Sequence, residues 1–420
     1  MTIAQLILSL GVVLLATRIF GWLAQRIRQP QVIGEMIVGI VLGPSLFGRL
    51  FPQSFAYIFP TSSLPALTIL SQLGLLLFMF AVGLQVDLNH IRKQRSTVVL
   101  ISNVSIILPL VLGIGLAKFL YPRFAGEQTS FLSFALFMGT AMSVTAFPVL
   151  ARILKEMNLL ETRLGTLAIY CAAIDDVSAW LLLAVLTATV RASQDWHQLM
   201  LTLLLLVVFI VVMLGPIRRV ASYWESKRQQ GGQGMAFISM LLLFMLASSW
   251  TTERLGVHAL FGAFMAGLVI PKDQGMVAKV IDRIESVSLA LLLPLFFALT
   301  GLRTRIDLLA DKTAWGYALL IIATAIAGKL LGAALTAKIM GMNWRDSVGL
   351  GVLMNTRGLV ELVILNAGLD LGILSPALFT MLVLMALATT FMASPLLSVI
   401  ISSSEFAQPT PETADHSSTA

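Results

Sequence analysis

Two adjacent carboxylates, Asp175 and Asp176, stand in the middle of an apolar run, RLGTLAIYCAAIDDVSAWLLLAVLTATV (163–190), with twelve residues before the pair and fourteen after it. As a helix this run is long enough to cross a bilayer, which places both acids at the midplane. An acidic residue there costs about 2.5–3.5 kcal/mol on insertion scales and marks an ion or proton path by default. Neighbours on a helix point about 100° apart, so the two acids can serve different partners. A carboxylate at that depth can hold a proton or a small cation, which compete for the same oxygens. The alternative is a purely structural ion-pair network between helices.

Two bases lie at similar depth, Lys329 in the run 313–340 and Arg357 in the run 345–368. Two negative and two positive charges cancel, as a buried network requires. Lys329 is expected to partner Asp175, and each base could equally be a packing counter-ion. Glu361 falls four residues after Arg357, on the same helix face, and can pair with it. Glu35 reads as a first-turn charge favoured by the helix dipole. Arg18 reads as a snorkelling side chain, Asp87 as a helix-end charge, and His258 and Cys171 as packing residues. Two apolar runs also look interrupted. GTAMSVTAFPVL (139–150) contains Pro148, which cannot bond the Val144 carbonyl, and Ser143 and Thr145, which can offer oxygens. GLGVLMNTRGLVEL (349–362) crowds Asn355, Thr356 and Gly358 at mid-depth. Free carbonyls and half-helix ends at such breaks suit a cation site; a simple proline kink is the alternative.

The elements that must position these groups follow from composition. The chain of 420 residues is 58% hydrophobic and 12% charged, with one cysteine. A soluble domain averages about 45–50% apolar and 25% charged, so a soluble enzyme, a disordered chain and a disulfide scaffold are excluded. The fold expected is an all-α polytopic membrane protein. Thirteen candidate transmembrane helices fall near 3–26, 31–48, 64–85, 97–119, 130–154, 163–190, 197–217, 234–252, 256–271, 286–302, 313–340, 345–368 and 374–400. Their runs lack the alternation of barrel strands. Loops after odd-numbered segments hold 17 Lys and Arg, those after even-numbered segments 8. The rule that positive loops stay inside therefore predicts an outside N-terminus and a cytoplasmic C-terminus, so the net charge of +7 reflects topology with no call for nucleic acid. Segment 1 reads as a retained span rather than a cleaved signal. Residues 1–402 read as one transmembrane domain and 403–420 as a short disordered polar cytoplasmic tail, with no soluble regulatory domain attached.

Segments seven apart also resemble each other: LLLFMFAVGLQVDL (75–88) and LLLPLFFALTGLRTRIDL (291–308), VGIVLGP (38–44) and AGLVIP (266–271). An odd offset reverses orientation, predicting an inverted repeat of the kind secondary transporters use. The two interrupted segments sit at matching places in it.

In QPQVIGEMIVGIVLGPS (29–45), SVTAFPVLARIL (143–154), AAIDDVSAW (172–180), GVHALFGAFMAGLVIP (256–271), LPLFFALTGL (293–302) and NTRGLVELVILN (355–366), the chain resembles the monovalent cation:proton antiporter superfamily. The likeness is to its CPA2 branch, with the plant-type CHX exchangers, Kef-type proteins and bacterial Na⁺/H⁺ exchangers, and it covers nearly all of residues 1–400. The resemblance implies a core with two crossing broken helices, a separate dimerisation domain and an elevator mechanism. It implies that Asp176 binds the ion, a monovalent cation or H⁺, that Lys329 salt-bridges Asp175, and that Thr145 is the crossover threonine. CHX-type members often carry Asn at the position of Asp175 and have long soluble C-terminal regions. An Asp–Asp pair with a lysine resembles the electrogenic sodium/proton branch, and favours Na⁺ with more than one proton per cycle; NTRGLVEL favours K⁺. The balance falls slightly to Na⁺. A homodimer in the bilayer, in a bacterial inner membrane, is implied as well.

No cofactor motif, phosphate loop or metal-spaced His/Cys set occurs, so neither enzyme nor cofactor is expected. A K⁺ channel or ligand-gated K⁺ efflux system of related fold is the other reading, though no TVGYG-like filter is present. An intramembrane aspartyl hydrolase would draw its two acids from different helices, whereas these are neighbours on one.

Overall fold

The computed structural model describes residues 3–85, 96–127, 129–160, 162–191, 196–228, 235–271 and 291–401. Its principal helices are α1 (Ile3–Arg26), α2 (Gln31–Leu42), α3 (Leu64–Gln85), α4 (Ser96–Phe124), α5 (Phe131–Ser143), α6 (Phe147–Glu156), α7 (Arg163–Arg191) and α8 (Trp196–Val212). They continue with α9 (Arg218–Arg228), α10 (Met235–Arg254), α11 (Ala259–Val269), α12 (Leu293–Arg303), α13 (Lys312–Ile339), α14 (Trp344–Met354), α15 (Leu359–Asp370) and α16 (Pro376–Ile401). Among the described residues there is no extended strand, and Ala125 forms an isolated bridge with Leu374.

Local chemistry sets the helix ends. Ser130 caps α5 by accepting from Ser133 N, and Asn343 caps α14 by accepting from Asp346 N at 2.8 Å, each satisfying an amide that the first turn leaves free. Gly341 and Gly372, at φ +95° and +69°, end α13 and α15. Their amides and those of the next residues return to the last turn (Gly341 N to Lys338 O, Met342 N to Ala337 O), the Schellman closure that the left-handed conformation permits.

Each of the thirteen predicted segments contains helix. By length and hydropathy, however, nine described stretches can cross a membrane, or ten when the bent pair α14 and α15 counts as one. The expected count of thirteen spans is not confirmed among the described residues. The described helices of segments 9 and 10 (α11 and α12) are only 11 residues long, and residues 286–290 of segment 10 lie outside the described residues, as do Asp87 and the tail 403–420.

The chain divides into two compact units, one of Met1–Leu14, Phe59–Arg92 and Trp180–Phe296, the other of Leu15–Ile58, Lys93–Ala179 and Phe297–Ala420. In the first, α3 meets α11 at Gly83 and Gly267: a Cβ on Gly267 would lie 2.2 Å from Phe80 O, and one on Gly83 2.2 Å from Phe264 O. In the second, α2 meets α12 at Gly39 and Gly301, where a Cβ on Gly39 would lie 2.3 Å from Ala298 O. These are the glycines of the four echoing sequences, and each contact joins one echo to a segment of the other half. In both, the glycine abuts the carbonyl three residues before its partner glycine. Loop parity is kept as well: the turn after α4 bonds to the turn after α15 (Gly126 N to Ile373 O, 3.0 Å), and the turn after α2 to the one after α12 (Ser45 Oγ to Thr304 O, 3.2 Å).

Three of the lesser readings take definite form. Glu35 is the fifth residue of α2, buried and beyond the first turn, so a first-turn dipole charge is the wrong description. His258 is the N-cap of α11, its Nδ1 accepting from Leu260 N at 3.4 Å, rather than a packing residue alone. Cys171 is fully buried beside the Val98 carbonyl.

Because the glycine contacts are backbone on backbone, Gly39→Ala and Gly267→Ala should each destabilise the protein by about 1–3 kcal/mol, lowering Tm in detergent. Gly316→Ala, on an exposed stretch of α13 with nothing within 4 Å of its Cβ, should leave Tm unchanged or raise it, since alanine is the better helix former.

Candidate functional site

The site is built from five parts of the second unit. α7 brings Asp175 and Asp176, α13 brings Lys329 and α4 brings Ser102 and Ser105. The remaining two parts are the unwound segments between α5 and α6 and between α14 and α15. The sequence admits both breaks. After Ser143 the backbone turns extended, with Val144 at φ −76°, ψ 140° and Ala146 at φ −97°, ψ 94°. Pro148 is then the second residue of α6, where its missing N–H leaves no bond unmade. The segment is thus broken rather than merely kinked by its proline. In the second, Asn355 ends α14, Gly358 precedes α15, and the two halves meet at 41°.

The breaks are hydrogen-bonded to each other. Ala146 N donates to Thr356 O at 3.0 Å, and Thr145 Oγ1 lies 3.0 Å from Met354 O. Gly358 lets them come together: a Cβ there would lie 2.5 Å from Val149 Cγ2.

Asp175 is held from four sides. Lys329 Nζ donates to its Oδ2 at 2.8 Å and to Thr145 Oγ1 at 2.7 Å. The Thr145 hydroxyl is 2.8 Å from the same Oδ2, and having one proton it gives that proton either to Asp175 or to Met354 O. From α4, Ser102 Oγ is 2.5 Å from Oδ1 and Ser105 Oγ 3.1 Å from Oδ2. Asp175 is 1% exposed and Lys329 and Thr145 0%.

Asp176, also 1% exposed, is held by much less. Its Oδ1 accepts from Phe147 N at 3.4 Å, at the first turn of α6, and its Oδ2 is buried with no hydrogen-bond partner. Helix N-termini favour anions through their free amides and dipole, so the carboxylate is oriented by α6 while one oxygen stays open. A buried acceptor left that way is costly unless a proton or cation meets it. Asn355 Oδ1 is a second buried oxygen without a partner.

Arg357 serves the opposite pole. Its guanidinium donates to Ala141 O at 2.6 Å and Met142 O at 2.7 Å, carbonyls of the last turn of α5, and to Glu361 at 2.8 Å. A cation therefore meets the negative end of one half-helix as a carboxylate meets the positive end of the other. Thr390 of α16 holds the second break, accepting from Arg357 N at 2.9 Å and lying 2.7 Å from Arg357 O.

The predicted residues thus divide. Asp175, Thr145 and Lys329 form one cluster and Arg357 and Glu361 another, with Asp176, Asn355, Thr356, Pro148 and Gly358 at or beside the breaks. Ser143 is not brought to the carboxylates: its hydroxyl donates to Thr140 O at 2.9 Å within α5. Sequence reasoning missed Ser102, Ser105 and Thr390. The two serines are three residues apart in a largely apolar helix, hence on one face, and that spacing was the available signal.

Removing the Arg357 charge should strand Glu361 and two carbonyls. Arg357→Met is expected to cost about 3–5 kcal/mol, as breaking a buried pair does, and Arg357→Met with Glu361→Met to cost less than the single change. Thermal unfolding in detergent measures both.

The description "Sodium/hydrogen exchanger, transmembrane" belongs to the family matched by residues 12–402. The chain is 42% identical over 397 residues to the Na⁺/H⁺ antiporter NhaS4 of Synechocystis sp., covering 94% of this chain and 97% of that one. It is 38% identical to cation/H⁺ antiporter 19 of Arabidopsis thaliana, again over 94% of this chain but spanning only 49% of the plant protein. The sodium proton antiporter MjNhaP1 of Methanocaldococcus jannaschii has a similar fold, with TM-score 0.68 at 15% identity over 96% of this chain and 98% of that one. With its broken helices meeting at buried charges and a family match across nearly its whole length, this chain belongs to the transmembrane sodium/hydrogen exchangers, a family of secondary transporters rather than enzymes.

Proposed function

We propose that this protein is a monovalent cation/proton antiporter in which H⁺ and the cation occupy Asp176 in turn. The observation that carries the reading is the unpartnered Oδ2 of Asp176, buried beside the unwound segment and the amide end of α6. A proton satisfies that oxygen, and so does a small cation, but not both together. Neither can leave without the other replacing it unless a bare carboxylate remains in a dry site. The Asp175–Lys329 and Arg357–Glu361 pairs set the surrounding field. Asn355 Oδ1 is the second oxygen available to a cation.

The finer reading is that Na⁺ is preferred slightly over K⁺ and that the occupied site moves across the membrane by an elevator-type motion. The protein works as a homodimer in a bacterial inner membrane, its N-terminus outside and its C-terminus cytoplasmic. The Asp175–Asp176–Lys329 grouping supports the Na⁺ preference and the Lys and Arg bias of the loops supports the orientation; the elevator motion, the homodimer and the inner membrane follow from the family resemblance alone.

The test is proteoliposome exchange with a pH-sensitive dye inside and Na⁺, K⁺ or Li⁺ added outside. The wild type should move protons on addition of a monovalent cation, and Asp176→Asn should fall to the rate of protein-free vesicles. Full exchange in Asp176→Asn would overturn the assignment. Competition also fixes a sign. On the acid side of the profile, the apparent KM for Na⁺ should rise as pH falls, by about tenfold per pH unit, and flux at saturating Na⁺ should recover.

A further inference from the structure

Thr390 spends its one hydroxyl on both backbone groups of a single residue. Its Oγ1 accepts from Arg357 N at 2.9 Å and donates to Arg357 O at 2.7 Å, so its only proton is committed to the second break. Its neighbour Thr389 turns the other way and donates within α16, to Met385 O at 2.9 Å. From the first break, Ala146 N donates to Thr356 O at 3.0 Å. Thr356 and Arg357, the two residues after Asn355, are therefore clamped by different elements, and Asn355 N returns to Gly351 O of α14 at 3.1 Å. What the clamp leaves open is a side-chain oxygen. Asn355 Nδ2 lies 4.0 Å from Met392 Sδ, again on α16, while Oδ1 is buried with no hydrogen-bond partner. Asn355 is 1% exposed and Thr390 2%. A buried carboxamide oxygen left in this way is costly unless something meets it, and carboxamide carbonyls are ligands that hard cations accept.

We propose that Asn355 is a ligand of the cation and not of the proton, and that Thr390 is the positioning residue that holds its oxygen in place. A proton is satisfied by one oxygen, Oδ2 of Asp176, whereas a metal cation gathers several. The neutral oxygen of Asn355 then adds to the hold on the cation alone, and α16 sets how the site divides between the two. The proposal rests on the reading of Asp176 as the shared carboxylate and deepens it. The charged groups acting on Asp176 are Asp175 on the same helix and Lys329 from α13. Arg357 and Glu361 at the second break pair with each other. Thr390 engages only the backbone of Arg357, so changing it removes none of these charges.

Proteoliposome exchange over a pH series reads both affinities, because the apparent KM for Na⁺ is flat on the alkaline side and rises below a break set by the proton. Thr390→Val keeps the shape and loses the hydroxyl. It should raise the alkaline KM about tenfold, as loss of one hydrogen bond of ordinary strength does, with the maximal rate and the pH of the break unchanged. Thr390→Ser, which keeps the hydroxyl, should restore the wild-type KM, and Thr390→Ala should behave as the valine variant does. Asn355→Leu should raise KM at least as much, and adding Thr390→Val to it should do little more, because the oxygen being positioned is gone. Where a variant does not transport, the Na⁺-induced rise in Tm over the same pH series reads the same two affinities. A lower maximal rate at unchanged KM marks a packing role only and overturns the proposal. A Thr390→Val effect of the same size in the Asn355→Leu background overturns it too, as does a pH break that moves with KM, since both ions would then use Asn355. Failure of the underlying reading is distinguishable, because Asp176→Asn would then exchange normally whatever Thr390 and Asn355 do.

Discussion

A polar group deep in a bilayer has to find its partner inside the protein, and this requirement is hardest to meet where two helices come apart at mid-depth. The unwound segments here answer it mutually. Ala146 gives its amide to Thr356 O, Arg357 covers the carbonyl end of α5, and Asp176 faces the amide end of α6. Each buried charge at the two breaks is thus matched to a helix end or to an opposite charge. A handful of atoms remain open, Asp176 Oδ2 and Asn355 Oδ1 among them. These open oxygens are the ones that the proposed ion site uses.

The two halves of the chain share their construction but not their charges. The glycine–carbonyl contact of α2 with α12 recurs between α3 and α11, and both halves carry a broken helix. Seven segments after the acid pair of α7, the corresponding helix α16 carries Thr389 and Thr390 at a similar distance from its start. Thr390 meets the backbone of the second break as Asp176 meets the backbone of the first. A neutral hydroxyl is therefore sufficient to hold a break together. The carboxylate on α7 is more than that task requires, and the proposed ion site rests on that surplus.

The helical architecture was legible because lipid enforces it: apolar runs, basic loops and internal echoes all reflect one solvent. The breaks were legible from Pro148 and from the Asn355–Gly358 cluster, as was the Lys329 partnership with Asp175, since few charges were available at that depth. The count of thirteen spans is not confirmed among the described residues: α11 and α12 are 11 residues long, and residues 286–290 of segment 10 lie outside the described residues. Ser102, Ser105 and Thr390 were hidden for a different reason. A serine or threonine in an apolar helix is indistinguishable in sequence from one that bonds its own backbone, as Ser143 does. Only the packing of α4 and α16 shows which hydroxyls turn to a partner.

Coupling then follows from the cost of an empty site. If the bare carboxylate is disfavoured by about 3 kcal/mol at mid-depth, crossing without a proton or cation is about a hundredfold rarer than crossing loaded, at 1.4 kcal/mol per decade. Around Asp175 both carboxylate oxygens have partners, Lys329 Nζ and the hydroxyls of Thr145, Ser102 and Ser105, whereas Oδ2 of Asp176 has none. An oxygen that the protein leaves open is the one whose occupancy decides whether the carboxylate is bare, so the cost of an empty site falls on Asp176.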